Sequence, residues 1–486
     1  MAMDRDLLSI QEARNLADAA YQAQLVWGHA PQEDVDRVCA AMADAAYLAS
    51  ERLGILAHEE TGYGIPEHKR LKNELGSKIV WESIKDIRTV GVIRHDPQRR
   101  IFDIAWPMGV IAGLTPSTNP TSTAMYKVLS AVKARDAIVI APHPSAARCT
   151  YETCWLMGQA AEKAGAPSGL VGCLQNISLQ GTQELMKHKR VRLILATGGS
   201  GMVQAAHSVG KPAYGVGPGN VPVYVDRSAD LEKAARYIVA SKAFDCSTIC
   251  ATEQSVVADK PIARELERRM QTEGAYFADE NQANLLRKLL FFPDGSINTA
   301  SVGKPAQTVA GMAGFSIPQS ARIIVVRLER TGESEPLSRE KLTTVLGWYE
   351  EDGWEAGCER SIDLIMFGGR GHTQIIHARD ENVIMAFGLE KPVFRILVNT
   401  MGTLGAVGLT TGLMPSMTLG AGGEGGSITG DNVTVHHLYN VKRLAYEITP
   451  PPEAALRAPL PTAATSNAQE VETLVRKVIQ EIINQK

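Results

Sequence analysis

Gly109-Val110-Ile111-Ala112-Gly113-Leu114 and Ala137-Ile138-Val139-Ile140-Ala141 are short, wholly apolar runs with the helix-like stretch 122–133 between them. Similar apolar runs recur at 169–173, 191–196 and 221–225, and a second helical stretch lies at 146–164. A run of five or six apolar residues without alternation suits a strand buried on both faces. Strands that alternate with helices predict βαβ units and a parallel sheet, so the fold class is α/β. A second α/β segment is predicted from about Ser228 to Val433.

Upstream of this core, residues 5 to about 90 read as helices, with Val35, Val38, Ala41, Met42, Ala45 and Leu48 at helical spacing. The stretch 90–104 places Arg99-Arg100 between two β-prone runs and predicts a hairpin that projects from the body. Near 434–446 a polar, β-prone strand is predicted to pair with that hairpin, in the same chain or a neighbour. From Pro450 to Ser466 the sequence PPPEAALRAPLPTAATS holds five prolines and little apolar bulk, which predicts an extended linker.

Composition narrows the function classes. The 486 residues are 44% hydrophobic and 21% charged with net charge −3, which gives no footprint for nucleic acid or anionic lipid. Met-Ala-Met-Asp-Arg-Asp at the start lacks the basic and apolar regions of a signal peptide. Seven cysteines form no disulfide framework and suggest reduced thiols in the cytoplasm. The uncharged stretch 396–423 is long enough to span a bilayer, but its seven glycines and Pro415 predict loops and short buried strands instead.

The segment Phe244-Asp245-Cys246-Ser247-Thr248-Ile249-Cys250-Ala251-Thr252-Glu253-Gln254 admits three readings. A cysteine in a small-residue turn suits a nucleophile whose pKa backbone amides lower. Free cysteine is also among the most buried residue types. A metal site through Cys246 and Cys250 lacks a matching His/Cys pair nearby. Other residues are equally open: Gly198-Gly199-Ser200-Gly201 departs from G-x-G-x-x-G and reads as a glycine-rich turn. His143 and Asn119 suit turns, and a lone Glu340 suits a solvated position.

Taken in order, the motifs resemble the aldehyde dehydrogenase superfamily, over residues 30 to 446, and within it the CoA-acylating acetaldehyde and propionaldehyde dehydrogenases. Thr115-Pro116-Ser117-Thr118-Asn119-Pro120, Ala141-Pro142-His143-Pro144, Ala196-Thr197-Gly198-Gly199, Phe244 to Gln254, Glu340-Lys341-Leu342, Gly371-His372-Thr373 and Pro415-Ser416-Met417-Thr418-Leu419-Gly420 carry the likeness. The resemblance implies a Rossmann-like nucleotide domain over 1–226, with the hairpin at about 90–104 for oligomerisation. It implies a catalytic thiol domain over 227–433 and an oligomerisation strand over 434–449. Cys250 is then the catalytic nucleophile, and Asn119 the oxyanion donor. Thr115, Ser117, Pro142, His143, Pro144, Thr197, Gly198, Gly199, Met202, Gly217 and Glu340 are implied to bind the cofactor, and no metal is implied. NAD and coenzyme A are the implied cofactor and co-substrate, a short-chain aldehyde the substrate, and a homodimer or homotetramer the assembly.

Two departures from the pattern bear on the chemistry. Hydrolytic members carry a general-base glutamate about 34 residues before the cysteine; here 250 − 216 = 34 points to Val216, which cannot activate water. Cys246 stands where relatives often have asparagine. The alternatives are a hydrolytic enzyme that yields the free acid and a non-catalytic microcompartment scaffold.

The stretch 467–486 sets Val471, Leu474, Val475, Val478, Ile479, Ile482 and Ile483 on one predicted helical stripe, with Ser466 and Gln469 as a capping box and Glu472 paired with Arg476. Its polar face is not basic, which disfavours a membrane surface. The linker and short amphipathic helix resemble the encapsulation peptides of bacterial microcompartment enzymes, implying shell proteins as partners and a place inside such a compartment. Coiled-coil association between subunits, or a docked C-terminal helix, is the other reading.

Overall fold

The computed structural model describes residues 4–456 and 468–484. Its strands, in chain order, are β1 Gly91–Asp96, β2 Ile101–Pro107, β3 Val110–Leu114, β4 Ala137–Ala141, β5 Val171–Cys173, β6 Val191–Thr197, β7 Ala213–Val216, β8 Val221–Val225, β9 Glu253–Asp259, β10 Ala275–Phe277, β11 Ile323–Arg327, β12 Val345–Glu351, β13 Gln374–His377, β14 Ile396–Val398 and β15 Tyr439–Ala445. Every residue of β3, β4 and β8 is buried, as the unbroken apolar runs require.

Two parallel sheets form the interior. One has five strands in the order β5-β4-β3-β6-β7; the other has seven, in the order β10-β11-β12-β9-β8-β13-β14. The run 221–225, placed by sequence with the first sheet, pairs instead with β9 and β13 of the second. An apolar run reads the same whichever sheet receives it, so only tertiary pairing moves this boundary from 226 back to the link between Val216 and Val221. Both sheets also belong to one compact unit, Met1–Ile93 with Ala105–Val441, where sequence suggested separate domains. A second unit comprises Arg94–Ile104 and Lys442–Lys486.

The late strand pairs with the early hairpin within the same chain, in the order β1-β2-β15. It begins at Tyr439, after a short 3-10 turn Val435–His437. The uncharged stretch from Ile396 forms β14, a short helix Gly402–Ala406 that sequence did not foresee, and loops. Among the described residues no helix is long and apolar enough to cross a membrane.

The helix Pro120–Lys133 is buried along its whole length. Pro120 opens it, where the missing N–H is one that the first turn leaves unpaired anyway. Lys127 donates to the carbonyls of Leu114 (2.5 Å) and Leu195 (2.8 Å), pinning the helix to the ends of β3 and β6. Trp27, ending the helix Arg5–Trp27, donates from Nε1 to Val132 O at 3.0 Å.

Against this helix packs a π-helical turn, Leu75–Ile79, at a point of contact that only glycine permits. A Cβ at Gly76 would lie 2.5 Å from the Ser122 carbonyl oxygen. Gly76→Ala should lower the urea midpoint by the equivalent of about 1–3 kcal/mol, the usual cost of overpacking. Gly388→Ala, where a Cβ meets nothing within 4 Å, serves as the control and should not lower it.

Candidate active site

The helix Leu231–Ala243 ends in a turn that L-residues resist. Asp245, Cys246 and Ser247 have φ of 47°, 53° and 68°, three left-handed residues in succession without a glycine. Each costs on the order of 1–3 kcal/mol, so the surroundings must enforce the turn. The fully buried Asp245 carboxylate does much of this: it accepts from the Ile65 N–H (2.7 Å), Thr248 Oγ1 (2.7 Å), Lys69 Nζ (3.3 Å) and Lys72 Nζ. Gly64 makes room, since a Cβ there would fall 2.0 Å from Asp245 Oδ1. The Asp245 N–H donates to His68 Nδ1 at 2.8 Å, and the His68 ring stacks on Phe244. Burial pushes the Asp245 carboxyl up, but Lys72 and Lys69 outweigh it and hold it below its ordinary range.

Three residues beyond this turn comes Cys250. Its six fellow cysteines are buried, while Cys250 is part-exposed. The N–H and Oγ1 of Thr252 close the next turn on the Ile249 carbonyl at 2.9 and 2.6 Å, and the chain enters β9. The backbone N–H of Cys250 draws its thiol down, as sequence suggested for the turn's amides, but it is outweighed. Burial and then the nearby Glu340 push the thiol up to about 12, against opposing pulls from Arg395 and Lys72. Cys246 is likewise pushed up to about 12, by burial and by Asp245.

A cavity of about 280 Å³ brings together Cys250, Asn119, Ser117, His143, Thr197, Gly198, Gly199, Met202, Gly217 and Glu340. It lies beyond the carboxyl ends of β3, β4, β6 and β7, the crevice where parallel sheets commonly take ligands. Gly199 caps the helix Ser200–His207, whose N-terminus suits a negatively charged group. At Gly199 and Gly217 a Cβ would meet nothing within 4 Å, so the backbone there is open to an incoming molecule. Glu340 accepts from the Gly219 N–H at 2.9 Å, and burial raises its carboxyl to about 7.

Three residues named from sequence are not on this cavity. Thr115 is fully buried, its N–H donating to the Ala141 carbonyl where β3 meets β4. Pro142 is buried and Pro144 is exposed at the start of a 3-10 turn, so only His143 of that motif faces the cavity. A motif marks a stretch of chain, whereas local backbone direction decides which side chain reaches the ligand.

Other neighbours were not singled out from sequence. Thr248, Ile249 and Met417 line the wall, alongside Val216, which the sequence had already marked as standing where a base would be. His372 lies close to Cys250: a Cβ on Gly219 would fall 2.2 Å from Cys250 O and 3.0 Å from His372 Nδ1. Burial lowers His372 to about 3, leaving a neutral imidazole whose Nε2 meets no partner among the described residues. Its motif, Gly371-His372-Thr373, was the available signal. Lys72 carried none, because the helix Pro66–Glu74 reads as a solvated, lysine-rich segment. Ile249, Val407 and Met417 also line a smaller, mostly apolar cavity of about 40 Å³, with Leu71, Lys72, Leu75, Phe244, Leu404 and Leu409.

Residues 6–277 match the profile of the aldehyde dehydrogenase family. The chain belongs to that family. It is 38% identical over 442 residues to the bifunctional aldehyde-alcohol dehydrogenase of Escherichia coli (strain K12), covering 90% of this chain and 50% of that protein. The chain thus spans about half the length of that curated relative. The crystal structure of an acetylating aldehyde dehydrogenase from Geobacillus thermoglucosidasius is 47% identical with a TM-score of 0.91, covering 92% of this chain and 99% of that one. A propionaldehyde dehydrogenase from the Clostridium phytofermentans fucose utilisation bacterial microcompartment is 27% identical with a TM-score of 0.82, covering 90% and 97%.

Exposure and thiol acidity together predict how the cysteines of this chain label. Native protein should take up one equivalent of iodoacetamide, at Cys250, and seven after unfolding in urea. The rate should climb with pH beyond 9 without a plateau, because the thiolate is the reactive form. Peptide mass spectrometry checks the site; rapid labelling at pH 7, or labelling of Cys246, would contradict this picture.

Proposed function

We propose that this chain is a CoA-acylating aldehyde dehydrogenase, converting a short-chain aldehyde, NAD and coenzyme A into acyl-CoA and NADH. The observation that carries the reading is the cavity itself: Cys250 and Asn119 share it, and Val216 forms part of its wall where a hydrolytic enzyme would place a base. The only carboxylate lining it among the described residues, Glu340, is engaged with the Gly219 N–H. The likeness to an acetylating relative over nearly its full length supports the same conclusion.

Cys250, as thiolate, attacks the aldehyde carbon, with Arg395 and Lys72 as the charges that favour the ionised sulfur. The Asn119 amide and the Cys250 backbone N–H hold the developing oxyanion. NAD, when bound, supplies the acceptor for the hydride that leaves the carbon, and a thioester remains on Cys250. Gly198, Gly199 and Met202 at the start of helix Ser200–His207 would hold its pyrophosphate, Glu340 its ribose, and His143 the adenosine part common to NAD and coenzyme A. With no base to activate water, the thioester persists until the coenzyme A thiol attacks it; the Cys250–acyl bond breaks, acyl-CoA leaves, and the thiol proton passes to the Cys250 sulfur. The adjoining small apolar cavity suits the alkyl end of acetaldehyde or propionaldehyde.

Assembly and location are part of the same proposal. β15 is exposed beyond its first residue, and Leu444, Tyr446 and Ile448 offer apolar surface, which suits a contact between subunits of a homo-oligomer. The tail helix Ala468–Asn484 carries exposed Val471, Leu474, Val475, Val478 and Ile479, and Arg476 pairs with Glu472 at 2.9 Å. Ser466 of the predicted capping box lies outside the described residues. We assign this helix as an address read by microcompartment shell proteins, in keeping with a microcompartment relative.

Two experiments test these assignments. Cys250→Ala should abolish NADH formation while Cys246→Ala keeps most of it, and wild-type product should be acyl-CoA formed only when coenzyme A is present. Multiple turnovers to free acid without coenzyme A would favour the hydrolytic reading, and a chain inert in both assays the scaffold reading. For the tail, residues 450–486 fused to a fluorescent reporter should form puncta in cells that make shells. Leu474→Glu with Ile479→Glu should disperse them. A diffuse signal from the intact tail, or loss of catalysis when the enzyme is truncated, would assign the helix to assembly.

A further inference from the structure

We infer that Lys72 is a positioning residue for the reaction, fixing which end of the Asn119 amide faces Cys250 and polarising it. This rests on the reading of Asn119 as the oxyanion donor. An ammonium has three N–H donors and no acceptor. Those of Lys72 reach Asn119 Oδ1 at 2.6 Å, Thr248 Oγ1 at 2.9 Å and Asp245 Oδ2. A donor-only group cannot face the NH₂ end of an amide, so Asn119 is locked with its oxygen toward Lys72. Its Nδ2 is thereby turned the other way, donating to the carbonyl of Thr248 at 3.0 Å and to Thr118 Oγ1 at 3.2 Å. Thr248 and Asn119 line the cavity with Cys250, and the amide would turn one of these two N–H groups from its present oxygen to an incoming oxyanion. An ammonium bound to the amide oxygen also draws electron density from the nitrogen, which strengthens its N–H as a donor.

Two further observations separate this from a purely structural ion pair. Asn119 stands at the N-cap of the helix Pro120–Lys133, where asparagine ordinarily caps with its side chain, yet it makes no such bond. Its amide is left for Lys72 and Thr248. The charges are also unequal: Lys69 and Lys72, 3% and 4% exposed, face one carboxylate, Asp245. One lysine would neutralise Asp245 and hold the strained turn. The second is a surplus buried cation, costly unless it has another use. Of the two, Lys72 contacts the Asn119 amide, whereas Lys69, besides Asp245, reaches the Thr118 carbonyl at 3.2 Å.

The test is a double-mutant cycle on the full-length enzyme, measuring kcat and KM for wild type, Lys72→Met, Asn119→Ala and the double variant. Lys72→Met should lower kcat roughly ten- to a hundredfold, part of the loss seen when such a donor is removed outright, with KM little changed. In the Asn119→Ala background the same substitution should cost less than about threefold, because its target is gone. Equal losses in the two backgrounds would mean that Lys72 acts without Asn119, through the turn or through its charge near Cys250, overturning the inference and leaving Asn119's role intact. A near-normal kcat for Asn119→Ala would overturn both. Where Lys72→Met does not fold, the cycle is run with Lys72→Gln, which keeps a donor for Asp245, and is read in the same way.

Discussion

The carboxylate of Asp245, buried against Lys69 and Lys72, is the interaction on which the site depends. Through it the helix Pro66–Glu74 grips the turn that precedes Cys250 and, through Lys72, the Asn119 amide. Three left-handed non-glycine residues would together cost several kcal/mol if nothing opposed them. Breaking a buried, hydrogen-bonded ion pair typically costs about 3–5 kcal/mol, so the two effects are of comparable size. The strained turn is therefore held by electrostatics rather than by the preference of its own residues. Gly64 belongs to the same device, because any side chain there would collide with Asp245.

The surroundings of Cys250 work against its ionisation at rest. Burial and Glu340 favour the neutral thiol, while Arg395 and Lys72 favour the thiolate. A thiol kept largely protonated resists oxidation and chance alkylation, and it gains reactivity only as the local charge changes. Glu340 sits at that balance point, its carboxyl raised to about 7 by burial against the downward pull of the hydrogen bond from the Gly219 N–H. Val216, on the same wall, cannot activate water, so in the proposed reaction the acyl group's fate is set by which nucleophile enters.

A different physical logic governs the tail. The helix Ala468–Asn484 keeps its apolar stripe exposed, and its intrahelical Glu472–Arg476 pair contributes only a few tenths of a kcal/mol. An isolated helix of this length is marginal without a surface to cover its apolar face. That need for a partner contrasts with the enclosed, self-sufficient packing of the two parallel sheets.

Local pattern was enough for much of this protein. The unbroken apolar runs specified strands buried on both faces, the spacing around Val35 and Val471 specified helices, and the ordered motifs led to Cys250, Asn119 and Glu340. Those properties are written in neighbouring residues, where periodicity and side-chain type act directly. Tertiary structure alone decided the rest. β8 entered the second sheet because pairing with β9 and β13 is a contact between distant segments. Thr115, Pro142 and Pro144 missed the cavity because backbone direction, which a motif does not encode, turned Ser117 and His143 toward it instead. Lys72 looked like any solvated lysine, because its partner Asp245 lies 173 residues away in the chain and the burial that gives their charges consequence exists only once the fold closes around them.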